Sequence, residues 1–278
     1  MIELPEAFTI AKQMDKELKG SVVKSCMRGN TPHKFAFYNH TPSEYEQMLV
    51  GKTIGGSKSH GSFILSSVGM NHFLVLGEGG ERITFHESEK TIPKKHQLLL
   101  GFEDGKYLSV TVQGWGMASI FDEVELKKHK YFGKKGISPI SADFTLKQFL
   151  ALFDGLKADD SRSVKYFIIS DPGILGVANG FLQDILFLAK LHPQTKAVKL
   201  VASEKETLYK AVRDTLTKAV TQGGRDTEYD LYDNPGGYKK ILDSRSVGKP
   251  CPVCETAIEK KAFLGGTCYF CPFCQPLS

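Results

Sequence analysis

The residues most able to do chemistry lie near the end of the chain, in the stretch CPVCETAIEKKAFLGGTCYFCPFC. Four of its cysteines form the pattern C-x2-C-x16-C-x2-C: Cys251, Cys254, Cys271 and Cys274. Each C-x2-C turn can aim two thiolates at one tetrahedral Zn²⁺, so the pattern predicts one structural zinc ion with no open coordination position. Buried cysteines without a metal are the alternative, which the Cys-Pro start of both turns disfavours. Cys268 is out of register, and we expect it to remain a free thiol.

Composition limits the other possibilities. The chain has 278 residues, 41% of them hydrophobic and 24% charged, which is typical of an ordinary globular protein. Its net charge of +5 is compatible with a nucleic-acid partner. No apolar run approaches the ~20 residues of a membrane span, and the start MIELPEAFTI does not look like a signal peptide. We therefore expect a cytoplasmic protein, where reduced cysteines bind metal more often than they form disulfides.

The first half of the sequence predicts one helix followed by strands. Apolar residues recur at helical spacing over residues 5–20, which ends at a glycine. Short β-rich runs then follow at 62–68, 72–77 and 82–87, and residues 96–112 read as a hairpin with its turn at Asp104-Gly105. Short strands with frequent turns favour a sandwich or a barrel.

The second half predicts helices. The Lys-rich segment KKHKYFGKKG has no apolar period and reads as a linker. Apolar faces then recur at 144–153 and 180–190, and Ser203 with Glu206 predicts a capping box that opens a helix ending at Gly223. The predicted order is strands, then helices, then the cysteine pattern.

Three segments in this order resemble the formamidopyrimidine-DNA glycosylase and endonuclease VIII family: ELPE at the start, GVANGFLQDILFLAKLHP in the middle and CPVC…GGTCYFCPFCQ at the end. The stretch GGRDTEYDLYDNPGGY is also similar to the segment before the zinc ribbon of that family. The resemblance implies an α+β fold: an N-terminal helix with a two-sheet β-sandwich, a helical domain with a helix-two-turn-helix, and a zinc ribbon hairpin, with DNA bound between the domains. We expect the sandwich domain at 1–126, a linker at 127–140, the helical domain at 141–245 and the ribbon at 246–278.

The chemistry of that family starts at the N-terminus. There a secondary amine attacks C1′ of a flipped-out damaged nucleoside, and a neighbouring carboxylate assists. The family begins with Pro and Glu after the initiator Met, whereas this chain has Ile2 and Glu3. Ile2 is too bulky for the usual removal of Met1, so the amine is expected one residue out of place, although an α-amine with a pKa near ~8 can still form a Schiff base.

The carboxylates at the start match the family better. Glu3 matches its catalytic Glu, and Glu6 resembles a residue that supports the sugar end of the site. A carboxylate near C1′ can activate water, which suffices for base release without strand cleavage. The alternative for Glu3 is a carboxylate that only favours the N-terminus of the first helix.

Two positions that handle the DNA backbone in the family have changed. Ser62 stands where the lysine that assists strand cleavage is expected, and Lys58 is a poor substitute four residues earlier. Gly266 stands where the ribbon normally carries its phosphate-clamping arginine. The resemblance therefore implies that cleavage of the DNA strand is altered in this protein.

Three other positions agree with DNA binding. Asn179 and Lys165 match the phosphate-binding Asn and Lys of the family. Trp115 is the only Trp of the chain and is flanked by glycines in VQGWGMAS, where the family carries its intercalating loop. An exposed Trp115 side chain could fill the gap that a flipped base leaves in the duplex. The alternative is a Trp115 side chain packed in the hydrophobic core.

The sequence therefore predicts a DNA repair glycosylase that binds duplex DNA with a damaged or abasic site and releases the base by Glu-assisted hydrolysis, with weak or no AP lyase activity. A catalytically inactive protein that binds DNA lesions or structures is the alternative, and a zinc-ribbon RNA-binding protein is a third. We expect a monomer, without a membrane partner, in a bacterial-type cytoplasm at the nucleoid.

Overall fold

The computed structural model of the protein describes residues 1–132 and 136–277, which form two compact units. The first unit comprises Met1–Lys135 and Val220–Tyr238, and the second comprises Gly136–Ala219 and Lys239–Ser278. Part of the predicted linker at 127–140 thus lies outside the described residues. The predicted boundaries placed residues 220–238 in the helical domain, whereas here this segment belongs to the first unit.

Helix α1 (Leu4–Leu18) opens the first unit. The predicted apolar spacing is confirmed, because one face of the helix is buried: Ala7, Ile10, Ala11, Met14 and Leu18. Pro5 lies in the first turn, where a missing N–H costs nothing. The chain leaves the helix through Gly20, whose φ of +89° suits glycine.

Strands make up most of the rest of this unit: β1 (Val23–Met27), β2 (Ala36–Phe37), β3 (Ile54–His60), β4 (Phe63–Val68), β5 (His72–Gly77), β6 (Glu81–His86), β7 (Leu98–Phe102), β8 (Tyr107–Val112) and β9 (Gly116–Asp122). They form a four-stranded sheet in the order β1-β7-β8-β6 and a five-stranded sheet in the order β2-β9-β5-β4-β3. Two short helices, α2 (Pro42–Leu49) and α3 (Glu123–Lys128), complete the unit. Neighbouring strands pair antiparallel except β2 and β9, which are parallel.

One core joins the two sheets and α1. It contains residues from both sheets, such as Leu100 and Val110 from one and Ile64 and Leu74 from the other. The predicted two-sheet sandwich is therefore confirmed. The predicted turn at Gly105 is also present, with a φ of +84° at that glycine.

The segment Val220–Tyr238 returns to the first unit through specific contacts. Leu231 is fully buried in the sandwich core, and its backbone carbonyl accepts a hydrogen bond from Phe85 at 2.9 Å. Arg82 donates to Asp233 and lies over the ring of Tyr229 at 3.5 Å. These contacts lie far apart in sequence, which is why the predicted boundary missed them.

The second unit is built on helices α4 (Leu146–Ala151), α5 (Val164–Ile169) and α6 (Asn179–Leu188), and on α7 (Ala202–Thr221), whose last residues enter the first unit. The predicted capping box is wrong: α7 starts before Ser203, and the Glu204 carboxylate accepts the N–H of Val201 at 2.9 Å. Glu204, in the first turn, therefore caps the helix N-terminus. The prediction had given this role to Glu206. In the described residues no helix is long and apolar enough to span a membrane.

The second unit ends in an antiparallel hairpin of β10 (Glu259–Phe263) and β11 (Gly266–Phe270). A small apolar cluster connects the hairpin region to α6: Phe187, Leu242, Cys251, Ile258 and Cys271. In addition, the Asp184 carboxylate accepts the N–H groups of Ile241 and Leu242, each at 2.9 Å. The hairpin and the cysteine turns are thereby held on α6.

Candidate functional site

An ion-pair network with a buried centre lies at the start of α1, and we call it the N-terminal cluster: Met1, Glu3, Glu6, Arg225 and Glu228. The Arg225 guanidinium donates to Glu3 Oε1 at 3.2 Å and to Glu6 Oε2 at 2.9 Å. Glu3 is 0% exposed and Arg225 3% exposed. Two predicted catalytic residues, Glu3 and Glu6, are thus brought together by an arginine that the sequence did not single out.

The local sequence explains how this network forms. Glu6 sits three residues after Glu3, so its carboxylate reaches back to accept the Glu3 N–H at 2.9 Å. Glu6 Oε1 also accepts the Arg225 backbone N–H at 2.9 Å. Gly224 permits this approach, because a Cβ there would lie 2.9 Å from Glu6 Cγ and its φ is +97°.

Met1 is tied into the same cluster. Its ammonium forms an ion pair with Glu228 Oε1 at 2.6 Å, and its backbone carbonyl accepts from Arg225 Nη2. Ile2 is buried in the sandwich core at 2% exposure. The Met1 amine is thus held by the Glu228 carboxylate.

The charges of the cluster compensate each other. Burial lowers the pKa of Arg225, but the Glu6 and Glu3 carboxylates more than offset this effect, so the pKa lies above its ordinary value. Arg225 is therefore a fixed positive charge beside Glu3 and Glu6. A carboxylate so paired can stabilise developing positive charge or accept a proton, at the cost of weakening its ion pair.

A second pair of carboxylates lies along the loop after β5. Ile2 donates its N–H to the Gly79 carbonyl at 2.7 Å, and Glu81 accepts the N–H groups of Gly79 and Met117 at 2.8 and 2.6 Å. Burial raises the pKa of Glu81 to about 7, against the lowering effect of these donors. Burial, assisted by the Glu81 charge, also raises the pKa of Glu78 to about 7. The loop thus brings proton-binding groups towards the N-terminus.

Trp115 lies in the loop between β8 and β9, next to this segment. Gly80 donates its N–H to the Trp115 carbonyl at 2.7 Å. The side chain is partly exposed and lines a cavity of about 560 Å³ together with Phe35, Phe37 and Gly114. Trp115 is therefore not the core filler that the sequence allowed.

Ser62 and Lys58 lie on the β3–β4 hairpin. Lys58 is exposed on β3, and Ser62 follows Gly61 in the turn. The Ser62 carbonyl accepts the Glu78 N–H at 3.0 Å, so the Ser62 backbone holds the loop that follows β5. Neither residue belongs to the N-terminal cluster, in which Arg225 and Glu228 hold the carboxylates of α1 and the Met1 amine.

In the second unit, the predicted phosphate-binding residues meet at the hairpin. Lys165 is 0% exposed, and its ammonium donates to the Phe263 carbonyl at 2.6 Å beside Cys268 Sγ at 3.6 Å. A Cβ on Gly266 would lie 3.0 Å from Asn179 Nδ2, so Asn179 contacts the start of β11. The buried Oδ1 of Asn179 has no hydrogen-bond partner among the described residues. Lys165 and Asn179 thus both contact the hairpin, and Gly266 is the hairpin residue beside Asn179.

The four predicted metal ligands also meet in this unit. Their sulfur atoms all lie within 4.8 Å of one another, with Cys251 and Cys274 at 3.9 Å and Cys254 and Cys271 at 3.4 Å. Ligands at ~2.3 Å around a tetrahedral ion are about 3.8 Å apart, so the set fits a Zn²⁺-sized metal. The Cys274 N–H points at Cys271 Sγ at 3.4 Å, which stabilises a thiolate. Cys268 lies outside this set, beside Lys165.

Sequence reasoning missed two residues of these sites. Arg225 appears in GGRDTEYDLYDNPGGY, where the adjacent glycines were the available signal. Gln183 holds the hairpin against α6, since its Nε2 donates to the Thr267 carbonyl at 3.3 Å and its Oε1 accepts the Tyr269 N–H at 3.1 Å. Nothing in the α6 sequence distinguishes Gln183 from a polar surface residue.

Comparison with known proteins gives consistent results. Residues 136–230 match the family model described as the formamidopyrimidine-DNA glycosylase H2TH domain. The chain is 27% identical to a formamidopyrimidine-DNA glycosylase of Bacillus cereus, over 99% of each chain. It is 29% identical to that of Legionella pneumophila, over 100% of this chain and 99% of the relative.

Solved structures agree in fold. A Lactococcus lactis Fpg mutant in complex with a Fapy-dG-containing DNA has a TM-score of 0.84 at 24% identity, over 99% of both chains. Lactococcus lactis Fpg in complex with an abasic site-containing DNA also gives 0.84, at 23% identity over 98% of this chain and 99% of that one. The resemblance predicted from the sequence is confirmed.

Proposed function

We propose that this divergent member of the formamidopyrimidine-DNA glycosylase and endonuclease VIII family is a DNA repair glycosylase that binds damaged duplex DNA and releases a damaged base. The observation that carries the proposal is the similarity to formamidopyrimidine-DNA glycosylases over 99% of both chains. The N-terminal cluster, which places Glu3 at the start of α1, supports the same conclusion.

The proposed reaction is hydrolysis. A water oxygen bonds to C1′ of the damaged nucleoside, the N-glycosidic bond breaks, and the base departs with the electron pair and takes up a proton. The Glu3 carboxylate stabilises the positive charge that develops on the sugar and accepts the proton of the attacking water. Glu6 and Arg225 position Glu3, because both are bonded to it or to its backbone.

Strand cleavage is expected to be weak or absent. Covalent lyase chemistry needs a neutral amine at C1′, and the Met1 ammonium is ion-paired with Glu228. Ile2 contributes a buried side chain instead of a secondary amine. Ser62 occupies the position of the family lysine, and the exposed Lys58, four residues earlier, is a poor substitute for it.

DNA binding is proposed for the residues around the ribbon hairpin and for the Trp115 loop. Lys165 is proposed from its match to the phosphate-binding Lys of the family: its buried ammonium, held by the Phe263 carbonyl beside Cys268 Sγ, places one positive charge behind the hairpin. Asn179 Oδ1 and the N-terminus of α6 lie beside Gly266, where the absence of a side chain leaves room for the Asn179 amide. Trp115, which is partly exposed in the loop between β8 and β9, is proposed as the wedge.

We also propose that the four-cysteine set holds one structural Zn²⁺. The set has four thiolate donors, spacing suited to a tetrahedral ion and no open position. The ribbon buries few apolar side chains of its own, so metal binding supplies much of its folding free energy.

A second candidate is a lesion-binding protein without turnover. It is favoured by one observation: the two groups nearest the expected chemistry, Met1 and Glu3, are both engaged in ion pairs, and Glu3 is fully buried.

Duplexes carrying oxidised, alkylated or abasic residues separate the two candidates. The protein is incubated with each duplex, and binding and base release are measured separately. The glycosylase proposal expects release from at least one lesion, lost in Glu3→Gln while binding is kept. Binding that discriminates lesions, with no release from any of them, favours the second candidate.

A further inference from the structure

The turn from β5 to β6 has the sequence GEGG, and its single side chain is that of Glu78. Glu78 has a φ of +69°, in the left-handed region that favours glycine. The other three positions have no room for a Cβ, which would lie 2.0–2.5 Å from a backbone carbonyl oxygen: Gly77, Gly79 and Gly80. A glutamate held in a strained conformation among glycines is typical of a functional position.

Backbone contacts on both sides of the turn fix the position of this side chain. The Glu78 N–H donates to the Ser62 carbonyl at 3.0 Å, in the neighbouring β3–β4 hairpin. The Gly80 N–H donates to the Trp115 carbonyl at 2.7 Å, on the opposite side. The turn is therefore preorganised to present Glu78.

The same turn is attached to the start of α1. The Ile2 N–H donates to the Gly79 carbonyl at 2.7 Å. Glu3 and Glu78 each lie one residue from this hydrogen bond, so their Cα atoms are at most ~14 Å apart. This span is compatible with the carboxyl separations of roughly 5–9.5 Å by which glycosidases place an acid and a base on one sugar.

The two carboxyl groups have different surroundings. Glu3 is fully buried and ion-paired with Arg225 at 3.2 Å. Glu78 is half-buried, and within the described part of the chain its carboxyl group has neither a hydrogen bond nor an ion pair. Burial and the charge of Glu81 raise the pKa of Glu78 to about 7, against the opposing charge of Lys130. Glu78 can therefore hold a proton at neutral pH and release it.

Glu81 has a different task in the same turn. Its Oε1 accepts the Met117 N–H at 2.6 Å, and its Oε2 accepts the Gly79 N–H at 2.8 Å. The positive charge of the Met1 amine also acts on it. Both Glu81 oxygens are thus engaged in holding the backbone, and of the two carboxyl groups Glu78 is the one that can reach a ligand.

We propose that Glu78 is the general acid of base release: it donates its proton to the departing base, while Glu3 accepts the proton of the attacking water. The inference rests on the proposed glycosylase function and names the source of the proton that the base takes up. The water oxygen bonds to C1′, the N-glycosidic bond breaks with its electron pair on the base, and the Glu78 O–H bond breaks to protonate that base. Glu78 is left as a carboxylate and Glu3 as a carboxylic acid. Exchange with solvent restores both, so the reaction consumes one water molecule.

The pH dependence of base release tests this role. The full-length protein, in excess over duplexes that carry one oxidised or one alkylated residue, is followed through a single turnover between about pH 6 and pH 9. Because Glu78 loses its proton as the pH rises through about 7, the release rate of the unmodified protein should fall above that pH. The fall needs no variant to be observed.

Glu78→Gln identifies the group, since glutamine resembles the protonated side chain but has no acidic proton. Release at about pH 6 should fall roughly hundredfold, and the deficit should shrink about tenfold per pH unit above 7, where the unmodified protein loses its acid. Neither the affinity for the lesion duplex nor the melting temperature should fall. Glu87→Gln is the matched control, because Glu87 is an exposed glutamate directly after β6, and it should leave the rate unchanged.

Three results would overturn the acid role and leave the glycosylase function in place. They are a rate of the unmodified protein that does not change with pH in this range, equal rates of Glu78→Gln and the unmodified protein at about pH 6, and a deficit of Glu78→Gln that is constant with pH. No release from any duplex by the unmodified protein would overturn the glycosylase function and the acid role together, so the two failures are distinguishable.

Discussion

Replacement of Arg225 by Met is the perturbation that bears most directly on the N-terminal cluster. Arg225 is 3% exposed and ion-paired with Glu3 at 3.2 Å and with Glu6 at 2.9 Å. Methionine keeps much of the apolar bulk of the side chain but leaves two carboxylates buried without their cation. The first unit should therefore lose stability.

The magnitude follows from the burial of the pair. Removal of one partner of a buried ion pair costs about 3–5 kcal/mol, because the remaining charge is left uncompensated. A change of 1 kcal/mol shifts the melting temperature of a domain of ~150–250 residues by about 2–4 °C. We therefore expect Arg225→Met to lower the melting temperature by roughly 6–20 °C.

The assay is thermal and denaturant unfolding followed by the fluorescence of Trp115, which lies in the first unit. Lys127→Met is the control, since Lys127 forms an exposed ion pair with Glu123, and it should leave the transition unchanged. Adding Glu3→Gln to Arg225→Met should recover part of the loss by removing one stranded charge. A loss below about 1 kcal/mol for Arg225→Met would refute the reasoning.

Three further predictions address the metal, the protons and the phosphates. Cys254→Ser should lose the bound zinc, measured by native mass spectrometry, and make the ribbon protease-sensitive while the first unit stays resistant; retained zinc would contradict the ligand set. Because the pKa values of Glu78 and Glu81 are raised to about 7, the folded chain binds more protons than the unfolded chain between about pH 4.5 and 7. Stability should therefore fall as pH rises through this window, and Glu78→Gln should flatten the fall in melting temperature between pH 5 and 8; an unchanged pH dependence would exclude Glu78. Lys165→Met should lower the salt slope of duplex binding by about one unit, because one positive charge of the proposed phosphate site is lost; an unchanged slope would make Lys165 purely structural.

The sequence was most informative where spacing alone determines geometry. Helix α1 followed from apolar residues three and four apart, because that period places them on one face. The four cysteine ligands followed from two C-x2-C turns, because each turn fixes two sulfur atoms locally.

It was least informative where contacts join distant parts of the chain. Arg225 lies 222 residues from Glu3, so no local pattern connects them. The aromatic cavity depends on the parallel pairing of β2 with β9, which no turn between the two strands specifies. The wrong capping box at Ser203 has a local cause: the Glu204 carboxylate accepts the Val201 N–H, and the helix begins at Ala202, before Ser203.

Product analysis on a released lesion tests the central claim, base excision by water with the help of Glu3. The duplex that the protein processes best is incubated with it, and one portion is treated with borohydride and another with alkali. We predict an intact strand that breaks only after alkali, little or no trapped protein–DNA adduct, and loss of release in Glu3→Gln with lesion binding retained. Efficient borohydride trapping and strand breakage without alkali would contradict the account, because they would show that an amine such as that of Met1 or Lys58 forms the covalent intermediate.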